Sequence, residues 1–214
     1  MGMPVLILGK SGSGKSASMR NFKKNDFGLI NVIGKPLPFR SDIEPFKTDD
    51  YGKVKNALLK SKTDTLVVDD AGYLITNMFM KGQGKKKGNA IFEFYSDLAT
   101  KFWDLIEFIN HQLPDERIVY LIMHEDSNDV GETKPKTIGK MLDDKVCVEG
   151  LFTIVLRAFN DNGKYLFRTQ TNGLDVSKSP MGMFNNEIDN DLKTVDDTIR
   201  EFYNLNKNKE ENKK

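Results

Sequence analysis

Eight residues near the start of the chain, Gly9-Lys10-Ser11-Gly12-Ser13-Gly14-Lys15-Ser16, fit the pattern G-x-x-x-x-G-K-[ST]. They follow the apolar run Val5-Leu6-Ile7-Leu8 and precede a helical pattern over residues 16–22. The motif needs that context to work. Glycines let the backbone curl until successive N–H groups point at one phosphate. The helix beyond adds the positive end of its dipole. Lys15 reaches the β- and γ-phosphates, and the Ser16 hydroxyl ligates magnesium. The expected ligand is ATP with Mg2+, held by residues 9–17, Ala17 included.

Further apolar runs occur at residues 29–33, 65–68, 118–123, 152–156 and 165–169, with helical patterns at 49–60 and 91–113. In the second helix Ile91, Tyr95, Leu98, Phe102, Leu105 and Ile109 step by fours and threes, which places them on one face. Short, uniformly apolar strands joined through helices predict an α/β fold: a mostly parallel sheet with helices on both faces. Thr194-Val195-Asp196-Asp197 resembles a capping box opening a last helix through Tyr203. Residues 1–203 are expected to form one domain, and residues 204–214, rich in Asn, Lys and Glu, a disordered tail.

The net charge of +1 creates no global field for nucleic acid, so any basic surface must be local. Cys147 is the one cysteine, which excludes an internal disulfide. Its neighbours Val146 and Val148 predict a buried small hydrophobe. Without a basic leader followed by an apolar core, or an apolar stretch of membrane-spanning length, the expected location is the cytoplasm, with no membrane partner.

Two more strand ends carry chemistry. Thr65-Leu66-Val67-Val68-Asp69-Asp70 ends in two carboxylates. The acid at this position holds magnesium, which assigns Asp69 to the metal beside Ser16. Asp70 either orients the attacking water or caps the next helix, residues 71–78. Leu121-Ile122-Met123-His124-Glu125-Asp126 ends in polar residues. His124 is either the sensor of the γ-phosphate or a structural histidine, and Glu125 is a second candidate for positioning water. Beyond these strands lie two basic loops. One, residues 81–88, offers Lys81, Lys85, Lys86 and Lys87 among glycines; the other, residues 127–140, offers Lys134, Lys136 and Lys140. Each either tracks a nucleic-acid backbone or is a solvated linker. Lys178, in a polar turn-rich stretch, either completes a neighbouring subunit's site as a finger or is a surface lysine.

In this order the P-loop, magnesium strand, basic loop, long helix, sensor strand and second loop resemble the RecA-like ATPases over roughly residues 4–180. The chain is also similar to small phage-encoded ATP-binding proteins. That likeness rests on Ile30-Asn31-Val32-Ile33-Gly34-Lys35-Pro36-Leu37-Pro38-Phe39, Lys136-Thr137-Ile138-Gly139-Lys140-Met141-Leu142, Phe152-Thr153-Ile154-Val155-Leu156 and Lys178-Ser179-Pro180-Met181-Gly182-Met183-Phe184. Asp189-Asn190-Asp191-Leu192 closes the pattern. The resemblance implies a homo-oligomer with ATP at the subunit interface. It also implies action on single-stranded DNA in recombination or annealing, alongside phage single-strand-binding or recombination proteins. One departure matters. RecA-like enzymes carry a catalytic Glu after the second strand, where this chain has Gly34-Lys35-Pro36 and no acid before Asp42 and Glu44. That points to slow hydrolysis. The alternatives are a nucleotide-gated binding module that recruits another protein, and a small-molecule kinase, which six arginines in the whole chain support poorly.

Overall fold

The computed structural model describes residues 1–85, 87, 88, 90–138 and 146–205. Lys86, Lys140 and the predicted tail from residue 206 onward lie outside them. The strands are β1 (Met3–Gly9), β2 (Gly28–Asn31), β3 (Phe46–Lys47), β4 (Thr65–Asp69), β5 (Ile118–Ser127), β6 (Thr133–Pro135), β7 (Ile154–Asp161), β8 (Lys164–Arg168) and β9 (Glu187–Asp189). The α-helices are α1 (Tyr51–Lys60), α2 (Gly72–Gly82), α3 (Ala90–Gln112) and α4 (Leu192–Phe202). The sheet runs β3-β2-β4-β5-β1-β7-β8-β9. Every pairing from β3 to β7 is parallel, whereas β8 and β9 continue the edge in antiparallel fashion and β6 folds back on the end of β5.

Alternation within the strands splits the core between the two faces. Leu6 and Leu8 of β1 join Val119, Leu121 and Met123 of β5 under α1, α2 and α3. Val5 and Ile7 join Tyr120 and Ile122 under Met19 and the apolar face of α4, Leu192, Val195 and Ile199. The α/β architecture with helices on both faces is as the pattern predicts. Each fully buried Leu or Ile in these clusters contributes roughly 1.5–3 kcal/mol.

Several elements depart from the sequence reading. Residues 16–21 form a 3-10 helix rather than an α-helix. The Ser18 hydroxyl bonds back to the Lys15 carbonyl at 2.6 Å, and Phe22 is already extended. With only six residues before the chain must turn, the tighter winding suffices. α3 buries Leu98, Phe102, Leu105 and Ile109, but its first turns overhang the sheet and leave Ile91 and Tyr95 exposed. α4 begins at Leu192, with Asp191 as its cap accepting the Lys193 N–H at 3.0 Å, so the expected capping box lies inside the helix. Its Asp196 is buried and accepts hydrogen bonds from Thr65 Oγ1 (2.8 Å), Tyr120 Oη (3.0 Å) and Arg200 Nε (2.8 Å). At the other end, Asn204 takes φ +55 while its N–H reaches Glu201 and that of Leu205 reaches Arg200, a Schellman closure. Cys147 is exposed, not buried. It leads into a 3-10 turn, residues 148–151, in which Val148 alone is buried. Lys81 belongs to α2, which shortens the first basic loop. Among the described residues no helix is long and apolar enough to cross a membrane.

Candidate nucleotide site

The strand order brings three C-terminal strand ends together. β5 lies between β1 and β4, with His124 in register with Gly9. The P-loop, His124 and the Asp69–Asp70 pair therefore surround one cleft of about 450 Å³. Its lining is Ser11 to Ala17, Lys35, Pro36, Pro38, Asp69, Asp70, His124 and Tyr165.

The loop itself is preformed. Gly14 has φ +90, and a Cβ there would lie 2.8 Å from the Tyr165 ring and 3.2 Å from Asn190 Oδ1. Only glycine suits both the conformation and the contact. The Lys15 ammonium folds over the loop and donates to the carbonyls of Gly9 (2.7 Å) and Lys10 (2.8 Å). Burial lowers its pKa to about 8, against the pull of Asp70, Glu125 and Asp69. Ser16 Oγ donates to Asp69 Oδ1 at 2.8 Å, joining two residues 53 positions apart in sequence. Burial and the neighbouring Asp70 push the Asp69 carboxyl up to about 6. A hydroxyl and a carboxylate at this spacing are hard oxygen donors. They suit magnesium, which takes few protein ligands and fills the rest with water and phosphate oxygens. Among the described residues no cluster of three or more His, Cys, Asp or Glu forms a separate metal cage.

Asp70 stands at φ +60 with its carboxyl buried. It does not cap α2, whose first residues follow Ala71 without a side-chain cap. Instead it meets Lys35 Nζ at 2.8 Å and His124 Nε2 at 3.6 Å. Burial pushes its pKa up, but the nearby His124 and the Lys35 ammonium outweigh that and hold it below the usual carboxylate range. The same bond to Asp70 raises the Lys35 pKa. Glu125 is otherwise engaged. Both its oxygens accept from Arg157, Oε2 from Nε at 2.7 Å and Oε1 from Nη2 at 2.8 Å, and its side chain is 1% exposed. Nothing in the sequence assigns Lys35, quoted above only within a family pattern, or Arg157 to the site: each acts across more than 30 positions, and a lysine or arginine at a strand end does not name its partner.

The other named lysines are dispersed. Lys136 is exposed, and its N–H donates to the His124 carbonyl at 2.8 Å. With Lys10, Ser11, Tyr73, Thr76, His124 and Glu125 it lines a second cleft, of about 420 Å³, that shares Ser11 and His124 with the first. Lys134 projects from β6 into a separate hollow with Asp126 and Asp175. Lys81 pairs with Asp49. Lys85 and Lys87 are exposed past the end of α2, a helix of 11 residues and about 16 Å. Lys178 makes a two-way backbone bridge to Val155 on the flank of β7 and is not among the residues lining the P-loop cleft.

A comparison with curated proteins finds no match. A family model described as an AAA domain matches residues 1–181, which include the P-loop, both acids at the end of β4, and β5. The chain belongs to that family, and it is a nucleotide-binding P-loop ATPase of the AAA type.

Proposed function

We propose that this ATPase binds ATP with Mg2+ through the P-loop, Ser16 and Asp69, and uses slow hydrolysis to switch its grip on single-stranded DNA as a homo-oligomeric phage protein. The observation that carries the reading is the double engagement of His124. Its ring faces Asp70 in the nucleotide cleft, and its carbonyl holds the backbone of Lys136. A change at the γ-phosphate that moves His124 therefore pulls on the strand β6 segment and its lysines. This is the order–disorder logic of γ-phosphate switches.

In the reaction, Lys15 leaves the Gly9 and Lys10 carbonyls for the β- and γ-phosphates, and Asp70 orients water toward the γ-phosphorus. Bound magnesium would neutralise charge on the β- and γ-oxygens. Lys81, Lys85, Lys87, Lys134 and Lys136 supply a salt-sensitive phosphate grip without reading bases. Lys178 would act only across a subunit interface. The slow rate follows from the lack of a catalytic Glu after β2, where Gly34-Lys35-Pro36 stands and no acid comes before Asp42.

The test is ATP turnover with and without single-stranded DNA at low and moderate salt, with Lys15→Ala as control. The reading expects DNA stimulation that weakens with salt and vanishes in the variant. Tight ATP binding with no response to DNA would replace it with the nucleotide-gated binding module, a second reading that the missing Glu after β2 also favours.

A further inference from the structure

β2 ends in a clasp. Asn31, 1% exposed, accepts the Gly34 N–H through Oδ1 at 2.7 Å and donates Nδ2 to the Lys35 carbonyl at 2.8 Å. Gly34 has φ +79, so the turn is built for glycine. The Val32 N–H donates to the Asp69 carbonyl at 3.2 Å, which ties the turn to the magnesium strand. Pro36 and Pro38 follow and line the cleft themselves. Lys35 is thus delivered on a fixed backbone, unlike a lysine on a free loop. It enters the P-loop cleft from the β2 side, with β4 and β5 between β2 and β1. Its side chain remains 57% exposed, so it has room to move, while its partner Asp70 is 5% exposed and fixed.

The cleft carries two adjacent carboxylates, Asp69 and Asp70, and two cations, Lys15 and Lys35. Lys15 is committed to the P-loop side. A triphosphate brings several further negative charges to the opposite side, next to Asp70, and Lys35 is the cation on that wall. On the reading given above for this site, we propose that Lys35 is a γ-phosphate ligand supplied within the same chain: its ammonium moves from Asp70 onto the γ-phosphoryl oxygens when a triphosphate fills the cleft. The water oxygen bonds to the γ-phosphorus as the bond to the β–γ bridging oxygen breaks, and that electron pair leaves on the diphosphate. The water proton ends on the released phosphate. Lys35 stays an ammonium throughout and stabilises the equatorial oxygens, the role a finger from a neighbour fills elsewhere.

The proposal separates nucleoside triphosphate from diphosphate. Affinities for ADP and a non-hydrolysable ATP analogue, each with Mg2+, would be measured for the wild type, Lys35→Met and Lys35→Arg, together with ATP turnover. Lys35→Met should keep ADP affinity within about twofold, weaken the triphosphate about tenfold or more, and lower turnover about 100-fold. Lys35→Arg, which keeps the charge, should recover most of the triphosphate affinity. Equal triphosphate preference in Lys35→Met and wild type overturns the proposal. So does faster turnover in Lys35→Met, which would make Lys35 a restraint on Asp70. A wild type that binds neither nucleotide overturns the parent reading as well, whereas loss of DNA stimulation alone leaves these affinities to decide the role of Lys35.

Discussion

The Glu125–Arg157 pair offers a test of whether Glu125 or Asp70 addresses water. Two hydrogen bonds of 2.7 and 2.8 Å consume both carboxylate oxygens, and the acid is 1% exposed against 20% for the arginine. Arg157→Met leaves a buried carboxylate without its counter-charge, a loss of about 3 kcal/mol. For a chain of this size that lowers Tm by about 6–12 °C. Glu125→Gln keeps the shape and one good acceptor but places an amide N–H against the guanidinium, a loss of roughly 1–2 kcal/mol. Because the partners touch, the double variant should lose less than the sum, with a coupling of about 1–3 kcal/mol. Thermal unfolding of the four proteins measures this cycle, and ATP turnover measured alongside separates structure from chemistry. Glu125→Gln should turn over ATP within about tenfold of wild type, while Asp70→Asn loses about 100-fold. A Glu125→Gln protein with unchanged Tm and turnover down by about 100-fold would refute the reasoning and put Glu125 on the water.

Three further outcomes follow from the same geometry. Lys15 in the free protein has a pKa near 8, lowered by burial, and a bound triphosphate restores the charged form. ATP affinity should therefore be level between about pH 7 and 8 and fall about tenfold per pH unit above that, measurable by titration between pH 7 and 9.5. Gly14→Ala introduces a methyl within 2.8 Å of the Tyr165 ring at φ +90, so nucleotide affinity should fall about tenfold with a Tm lowered by a few degrees. Asp196→Ala strips the buried Arg200, Tyr120 and Thr65 of their shared acceptor, a loss of about 3–5 kcal/mol read as a reduced midpoint in urea unfolding.

The parts of this fold that could be read from sequence are those in which one segment does one thing. The runs in β1, β4 and the first six residues of β5 are buried on both faces and so are apolar, and a glycine turn or acids follow β1 and close β4; β5 instead runs on through His124, Glu125 and Asp126 to Ser127, because β6 pairs with that end. The P-loop is legible because its mechanism forces glycine and lysine at fixed spacing. Pairings over distance were not legible: Lys35 with Asp70, Arg157 with Glu125, and Asp196 with Thr65 and Tyr120 depend on which strands lie side by side. β3, two exposed residues long, carries no periodicity. Periodicity also does not say where a helix outruns the sheet, so the stripe on α3 counted Ile91 and Tyr95 as core. The start of α4 could have been found. Asp191 precedes Leu192, Val195 and Ile199, and that spacing marks a helix whose cap lies three residues before Thr194.

Asp70 sits in left-handed backbone, a conformation that costs an L-residue about 1 kcal/mol and that glycine takes freely. With Asp70 on the water, as proposed above, durability and turnover pull apart at this one position. A selection for heat resistance alone should drift toward Asp70→Gly and yield a hardier protein that still grips nucleotide but no longer uses it. A selection for turnover should hold the strained carboxylate and recover the lost stability elsewhere, in α4 or along the β8–β9 edge, where no chemistry would be disturbed.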